Sequence, residues 1–375
     1  MRALSILCPF CFNKLNPGKL FYRCNCKEPG TANYHIIENR KADSKGFCTC
    51  DLCNHTTTKK VCYICRKELP ADILENDTKI ISIVGAANSG KSYYVGTLLR
   101  QIMEKHIFST MGTKRISTKW VVGSGDEYAK RFKKPLESQS ILPPTQKNTD
   151  IVKDNPPILI ELMYETKKLF GTHTVQNTYS FFDAAGETFE NEDDLAAITP
   201  YIAHSEGIVL ILDPCQIPHV DAAVSAVKPN LSKASDKTYS DILNNTASVV
   251  RTSQRLTVNN KIKIPLCIAF SKWDLLIETP NLLPGDLMVS KPSQYNLSGY
   301  NASAIETISS EIRSLLMQWE PNLVNLAESS FEEVKYFGFS AWGSSKSATN
   351  GKAPPIASFR VEDPMLFILN KDGIV

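Results

Sequence analysis

The sequence predicts an α/β fold with a mostly parallel central sheet flanked by helices, preceded by a small cysteine-rich module. Three observations carry this reading. The stretch 79–97, KIISIVGAANSGKSYYVGT, sets an apolar β-branched run (Ile80, Ile81, Ile83, Val84) before a glycine-rich turn and a helical pattern. Further apolar runs at 207–213 and 264–270 read as buried parallel strands, each closed by a polar turn. Nine of the eleven cysteines lie before residue 66, so the chain divides into a module at 1–75 and an α/β domain at 76–375.

A chain of 375 residues has room for one large domain plus a small module. The net charge of +3 is too small to imply nucleic-acid or membrane binding by itself. No apolar run approaches the length of a membrane span. The start, MRALSILCPFCF, has no long apolar segment of the signal-peptide kind, and a cytoplasmic location is expected.

The cysteines of the first segment come in four pairs: Cys8 and Cys11, Cys24 and Cys26, Cys50 and Cys53, Cys62 and Cys65. In a chain without an export signal, such pairs read as metal ligands rather than disulfides. Two close thiolates can grip one ion, and eight ligands suffice for two tetrahedral Zn²⁺ sites. Cys48 is then surplus or replaces Cys50; His35 and His55 read as solvated loop residues. Two pairings stay open. Sequential pairing joins the first pair with the second and the third with the fourth. A cross-brace joins first with third and second with fourth, and is preferred because 34–47 then becomes a crossover loop. A segment this small cannot bury a core that holds it folded, so zinc supplies most of its stability. Its aromatic residues and modest Lys and Arg excess permit nucleic-acid contact, but protein contact or structural use is favoured. Residues 69–77 read as a linker.

In the α/β domain, 93–106 reads as a helix, 115–120 as a short strand and 126–136 as a short helix. Residues 158–164 and 178–182 form two strands of a hairpin. The polar stretch 215–235, with two prolines, reads as a long loop. Helices follow at 238–256, 302–319, 322–329 and 361–369, with a last strand at 334–339.

The chemistry starts at Gly85, Ala86, Ala87, Asn88, Ser89, Gly90, Lys91, Ser92, which matches G-x-x-x-x-G-K-[ST] at every fixed position, with Tyr93 next on the helix. Backbone N–H groups of such a turn and of the helix start point at one place and favour negative charge. Lys91 would reach the β- and γ-phosphates of a nucleoside triphosphate and the Ser92 hydroxyl would bind Mg²⁺. The strand at 178–182 ends in Asp183-Ala184-Ala185-Gly186-Glu187. Asp183 can hold Mg²⁺ through water, and the Gly186 N–H can approach the γ-phosphate because no side chain keeps it away.

Two later strand ends complete the series, Ser271-Lys272-Trp273-Asp274 and Ser340-Ala341-Trp342. In this order the motifs resemble the TRAFAC-class P-loop GTPases, Ras-like and translation-factor-like, across 79–369. With the amino-terminal Cys pairs, zinc-ribbon-like in kind, and the VEDPMLFIL stretch near the end, the chain looks most like the bacterial double-GTPase families of predicted conflict systems. The resemblance implies GTP and GDP as ligands. It puts Asp274 on guanine N1–H and N2–H, the Lys272 stem along the base, and a backbone N–H of Ser340-Ala341 on guanine O6. It also implies a switch threonine, for which Thr145 and Thr149 are available; Thr145 is preferred because Pro143-Pro144 makes a defined turn before it. Thr145 would then ligate Mg²⁺ with Ser92 and Asp183. Glu187 stands where many Ras-like proteins place a water-orienting Gln, which implies slow intrinsic hydrolysis raised by a partner. The implied roles are a molecular switch in a defence system with a protein partner, such as a second GTPase or effector from one operon, or a non-hydrolysing GTP-binding scaffold. A nucleotide-dependent nucleic-acid-binding protein is the remaining alternative.

Overall fold

The computed structural model describes residues 5–27, 33–38, 40–110, 116–140, 142, 155–168, 171–183, 186–189, 192–227, 238–293, 299–343 and 356–375. Seven strands form the main sheet: β1 (Asp77–Val84), β2 (Ile116–Trp120), β3 (Ile158–Lys168), β4 (Gly171–Phe182), β5 (Ser205–Leu212), β6 (Leu266–Phe270) and β7 (Val334–Gly338). Their order is β7-β6-β5-β1-β4-β3-β2. The pairings β4–β1, β1–β5, β5–β6 and β6–β7 are parallel; β3 runs antiparallel to both β4 and β2. The result is a mixed α/β fold with a large central sheet.

Strand alternation explains why the central strands read as unbroken apolar runs. Ile80, Val84, Ile208, Leu210, Leu212, Ile268 and Phe270 point into one core cluster. Ile81, Ile83, Val209, Ile211, Cys267 and Ala269 point into the other. Both faces are covered, so both residue sets must be apolar.

The longer helices are α1 (Lys91–Met103), α2 (Glu192–Ala203), α3 (Pro218–Val227), α4 (Tyr239–Gln254), α5 (Ala302–Trp319), α6 (Pro321–Ser330) and α7 (Asp363–Lys371). α1 and α7 cover the second face; α2, α4 and α6 cover the first. α4 starts on a reciprocal cap, in which the Thr238 hydroxyl accepts from the Asp241 N–H and the Asp241 carboxylate accepts from the Thr238 N–H. Two expectations need correction. The stretch after Pro214 is no long loop: α3 occupies 218–227, with Val220 and Val224 buried. The hairpin is longer than its apolar core, β3 and β4 pairing from Ile158↔Phe181 out to Lys168↔Gly171 through polar residues.

The cysteine-rich segment folds as small antiparallel pieces. Strand Phe21–Lys27 pairs with Tyr34–Ile37 on one edge and Lys60–Val61 on the other. The segment does not stand apart. Ile6, Phe10, Leu15, Leu20, Leu69 and Ile73 share a core with Val121 and Leu159 of the sheet domain. Leu69 and Ile73 are each about 2% exposed, so the expected linker is a packed joint. Phe12 goes further. It enters the main core, its ring 6.0 Å from Phe182 and 5.0 Å from Tyr201. The Ser180 hydroxyl donates to the Pro9 carbonyl at 2.9 Å beside it.

Candidate functional site

The carboxyl ends of β1, β4, β5, β6 and β7 lie along one edge of the sheet, the place where open parallel sheets carry their ligands. At the end of β1 the chain turns sharply through Gly85–Gly90 into α1. A Cβ on Gly85 would stand 2.6 Å from the Ile211 carbonyl oxygen, so no side chain fits there. Asn88 (φ 60°) and Gly90 (φ 97°) are left-handed, and Gly90 is the residue before α1, so no side chain caps that helix. Lys91 is buried, and its ammonium donates to the Gly85 and Ala86 carbonyls at 3.0 and 2.7 Å, lying back across the turn. Ser92 follows in the first turn of α1. Tyr93 faces elsewhere: its hydroxyl accepts from Leu142 N–H at 2.9 Å and its ring meets Trp342 edge-on at 5.8 Å. Burial pushes the Tyr93 phenol pKa up.

β4 delivers Asp183 beside this turn, since Phe182 is paired with Ser82 of β1. Gly186 lies directly on the turn, where a Cβ would be 2.2 Å from Ala87 N and 2.6 Å from Ala86 C. Only glycine permits so close a backbone approach. Asp183 is 3% exposed, and the Arg131 guanidinium approaches its carboxylate at 3.6 Å. Asn155 donates to the Asp183 carbonyl. The Tyr201 hydroxyl shares its one proton between the Ile81 and Phe182 carbonyls, at 2.7 and 3.1 Å, and accepts from Ile83 N–H at 2.8 Å, tying β1 to β4 just below the site. A hydroxyl from Ser92 and a carboxylate from Asp183 are hard oxygen donors of the kind Mg²⁺ takes, and the guanidinium already beside Asp183 marks the spot as one that accommodates a cation. Thr145 and Thr149 lie outside the described residues. Glu187 belongs to the short helical turn Gly186–Phe189, and its side chain lies outside what is described.

β6 and β7 supply the other end. Ser271 packs against Gly90, a Cβ there standing 3.5 Å from Ser271 Cβ, and bonds by N–H and hydroxyl to the Leu212 carbonyl. Lys272 is left-handed (φ 54°). Trp273 is fully buried, and its indole fills the space above Gly338, where a Cβ would lie 2.5 Å from the ring. That anchor turns Asp274 toward Ser340: the Ser340 hydroxyl accepts from Asp274 N–H at 2.9 Å and donates to the Asp274 carboxylate. The Ala341 carbonyl accepts from Thr97 of α1 at 3.4 Å. Sequence reasoning gave Lys272 the base as neighbour; the structure gives it Asp213, at 2.5 Å.

Sequence reasoning missed Asp213 and Gln216. Asp213, 4% exposed at the end of β5, accepts from Cys215 N–H at 3.0 Å. Gln216 donates to the Ala87 carbonyl at 2.9 Å and accepts from the Tyr239 hydroxyl, which in turn accepts from Asp213 N–H. A chain of polar contacts thus runs from Ala87 to Lys272. The available signal was an Asp closing a central strand immediately before Pro214.

The eight paired cysteines gather as two groups, Cys8, Cys11, Cys62, Cys65 and Cys24, Cys26, Cys50, Cys53, with all sulfurs of each group within 4.8 Å of one another. Neither expected pairing is observed. The first pair joins the fourth and the second joins the third, because Phe21–Lys27 pairs antiparallel with Lys60–Val61 and nests the inner pairs inside the outer. Sγ separations are 3.8 and 3.9 Å in the outer group and 3.4 and 3.6 Å in the inner. Four thiolates at Zn–S distances of about 2.3 Å would sit about 3.8 Å apart, so both groups fit tetrahedral Zn²⁺. Ile64 and Cys65 N–H groups point at Cys62 Sγ, each at 3.4 Å. The Cys26 backbone N–H brings the Cys24 thiol down to about 7. Cys48 is outside both groups and faces the Arg40 carbonyl; Cys50 is the ligand candidate. His35 is held by Asp51 at 2.7 Å, with Cys50 near enough to make a third, smaller group.

The site therefore belongs to a mixed α/β protein whose candidate residues line the carboxyl edge of the parallel part of its sheet. No protein-family model matches the chain. A curated relative, the putative ESX-1 scaffolding and assembly protein SaeC of Mycolicibacterium smegmatis, is 22% identical over 408 residues, covering 98% of this chain and 99% of its own. Among solved structures, the chain is similar to the S. cerevisiae Ski7 GTPase-like domain bound to GTP, at 14% identity and TM-score 0.31, covering 79% of this chain and 50% of that one. It is also similar to Sup35 complexed with GDP, at 11% identity and TM-score 0.26, covering 72% of this chain and 38% of that one. The chain thus spans about half the length of the Ski7 chain. Among the described residues, no helix is long and apolar enough to cross a membrane.

Proposed function

We propose that the protein binds GTP and GDP with Mg²⁺ along the edge of the sheet and hydrolyses GTP slowly. The observation that carries this is contiguity. Four sequence elements far apart in the chain touch one another there: Gly186 on Ala86 and Ala87, Ser271 on Gly90, Ser340 on Asp274, and Ala341 on α1. In this reading the Gly85–Ser92 backbone cradles the phosphates, and Lys91 exchanges its two carbonyl partners for phosphate oxygens. Ser92 and Asp183 hold Mg²⁺, which when bound neutralises charge on the phosphates. Asp274, oriented by Ser340, accepts from guanine N1–H and N2–H, donors that adenine lacks. Ser340-Ala341 offers a backbone N–H to O6. Gly186 moves with the γ-phosphate, making the 183–189 stretch a switch. Thr145 and Glu187 remain proposals for the switch ligand and the water-orienting group.

The cysteine module is proposed to hold two structural Zn²⁺ ions and to serve a protein partner. A scaffold that binds GTP with negligible turnover is the second reading, favoured by one observation: the relative matched over 98% of this chain is called a scaffolding and assembly protein.

The test is nucleotide preference of the full chain. Asp274→Ala is expected to erase discrimination of guanine over adenine nucleotides, and Lys91→Ala to remove triphosphate binding. Tight GTP binding retained by both variants would sink the assignment. Single-turnover phosphate release separates the slow switch from the scaffold.

A further inference from the structure

Arg131 has no place in the nucleotide reading, yet it sits on that reading's metal carboxylate. It belongs to a five-residue π-helical turn, Ala129–Lys133, set between two short α-helical pieces. Such turns bulge a helix so that one side chain is displaced from its regular position. Here the displaced region is pinned to α1. Phe132 packs on Gly96, where a Cβ would be 2.7 Å from the ring, so only glycine lets the turn come so close. Gly96 lies five residues beyond Lys91 on the same helix. Arg131 is therefore held in register with the phosphate-binding turn.

Its guanidinium is largely out of solvent, with the side chain 17% exposed. It donates to the Pro156 carbonyl at 2.9 Å, stands 4.0 Å from Glu127, and reaches Asp183 at 3.6 Å. The residue before Pro156, Asn155, bonds the Asp183 backbone, so one short segment steadies both members of the ion pair.

We propose that Arg131 is a built-in placeholder for Mg²⁺: it neutralises Asp183 while no metal–nucleotide is bound and must give up that carboxylate when one arrives. The inference rests on the reading of Asp183 as the Mg²⁺ residue. A buried carboxylate left without a cation is costly, so a competing guanidinium keeps the empty site folded. A divalent ion and a guanidinium on one carboxylate repel each other, so the same residue raises the Mg²⁺ concentration needed to close the site. Arg131 is a positioning residue that sets metal dependence.

The experiment is a Mg²⁺ titration of fluorescent GDP binding to the full chain, buffered with chelator. Arg131→Gln is expected to lower the half-saturating Mg²⁺ concentration by about fivefold or more, the lower end of a typical coupling between sites. Glu127→Gln is expected to raise it, because Arg131 then has one carboxylate fewer to share. Midpoints unchanged in both variants overturn the placeholder. If Arg131→Gln does not fold, an unchanged midpoint in Glu127→Gln alone overturns it. Failure of the underlying reading looks different: the unsubstituted protein would then bind GDP without dependence on Mg²⁺, and the proposal would fall with it.

Discussion

The two unequal parts of this molecule, 1–75 and 76–375, differ in how much apolar surface they bury. The sheet domain buries two apolar layers, one on each face of a seven-stranded sheet. The cysteine segment has two thin clusters, one almost wholly cysteines with Tyr22 and Ile37, the other completed by Val121 and Leu159 from its neighbour. The large half can rely on area removed from water. The small part has little area to remove, and its two four-cysteine groups stand where ligand bonds to the proposed Zn²⁺ ions would substitute for it. Phe12 joins the two regimes: it leaves one sulfur cluster and ends in the core beneath Asp183.

Metal removal breaks the comparison most sharply. Structural Zn²⁺ contributes on the order of 10 kcal/mol or more in small modules. A chelator is therefore expected to strip hydrogen-exchange protection from 6–27 and 48–65 while β1, β5 and β6 stay protected. Cys62→Ser should spread the loss toward Phe12 and the end of β4, whereas Cys26→Ser should confine it to the inner group. Equal protection in both halves after chelation would show that the module carries itself.

Phe12→Ala tests the joint. Truncating a buried Phe costs about 3–5 kcal/mol, comparable with the large end of an Ile→Ala change such as Ile268→Ala in the central sheet. Urea unfolding of the two variants should give similar losses. A cost for Phe12→Ala under about 1 kcal/mol would mean that the module merely rests on the domain.

Gly338→Ala probes the packing that aims Asp274. The new methyl would lie 2.5 Å from the Trp273 ring, so either the indole or β7 must shift. Overpacking of this kind costs about 1–3 kcal/mol. A calorimetric melt should show the drop, and guanine-nucleotide affinity should fall with it.

The smallest effect belongs to the surface. The Arg313 guanidinium, bonded through two nitrogens to Glu328, holds that carboxyl below its ordinary pKa of 4.5. A depressed carboxyl stabilises the fold above its unfolded value, and the contribution disappears as pH falls through the folded value. Glu328→Gln should therefore lower stability at neutral pH, with the difference shrinking as pH falls below the ordinary carboxyl value of 4.5. Because both side chains are more than a third exposed, the loss should stay within about 1 kcal/mol. Thermal melts at pH 7 and pH 3 check the sign.

Much of this architecture was legible in the residues. β1, β5 and β6 showed themselves as apolar runs because both faces of a parallel strand are buried. α3 did not, because Pro218, His219 and Asp221 disguise a helix whose inward face is only Val220 and Val224. The outer half of the β3–β4 hairpin was invisible because its residues are polar and carry no apolar alternation to announce a strand.

The local patterns of the chain determined which residues could make a site: a turn between β1 and α1 that needs glycine at 85, acidic and hydroxyl residues at strand ends, and thiols in pairs. Each is encoded within a few neighbouring positions, where backbone sterics and hydrogen bonding act. The partners were decided only in three dimensions. Which Cys pairs meet, that Asp213 stands by Lys272 and Arg131 by Asp183, and that Phe12 reaches Phe182 all depend on strand order and on how a π-helical turn seats against Gly96. Contacts across 24 to 59 positions of sequence, and farther still for Phe12 and Phe182, are settled by the packing of whole elements, and one chain's residue types carry no direct record of that packing.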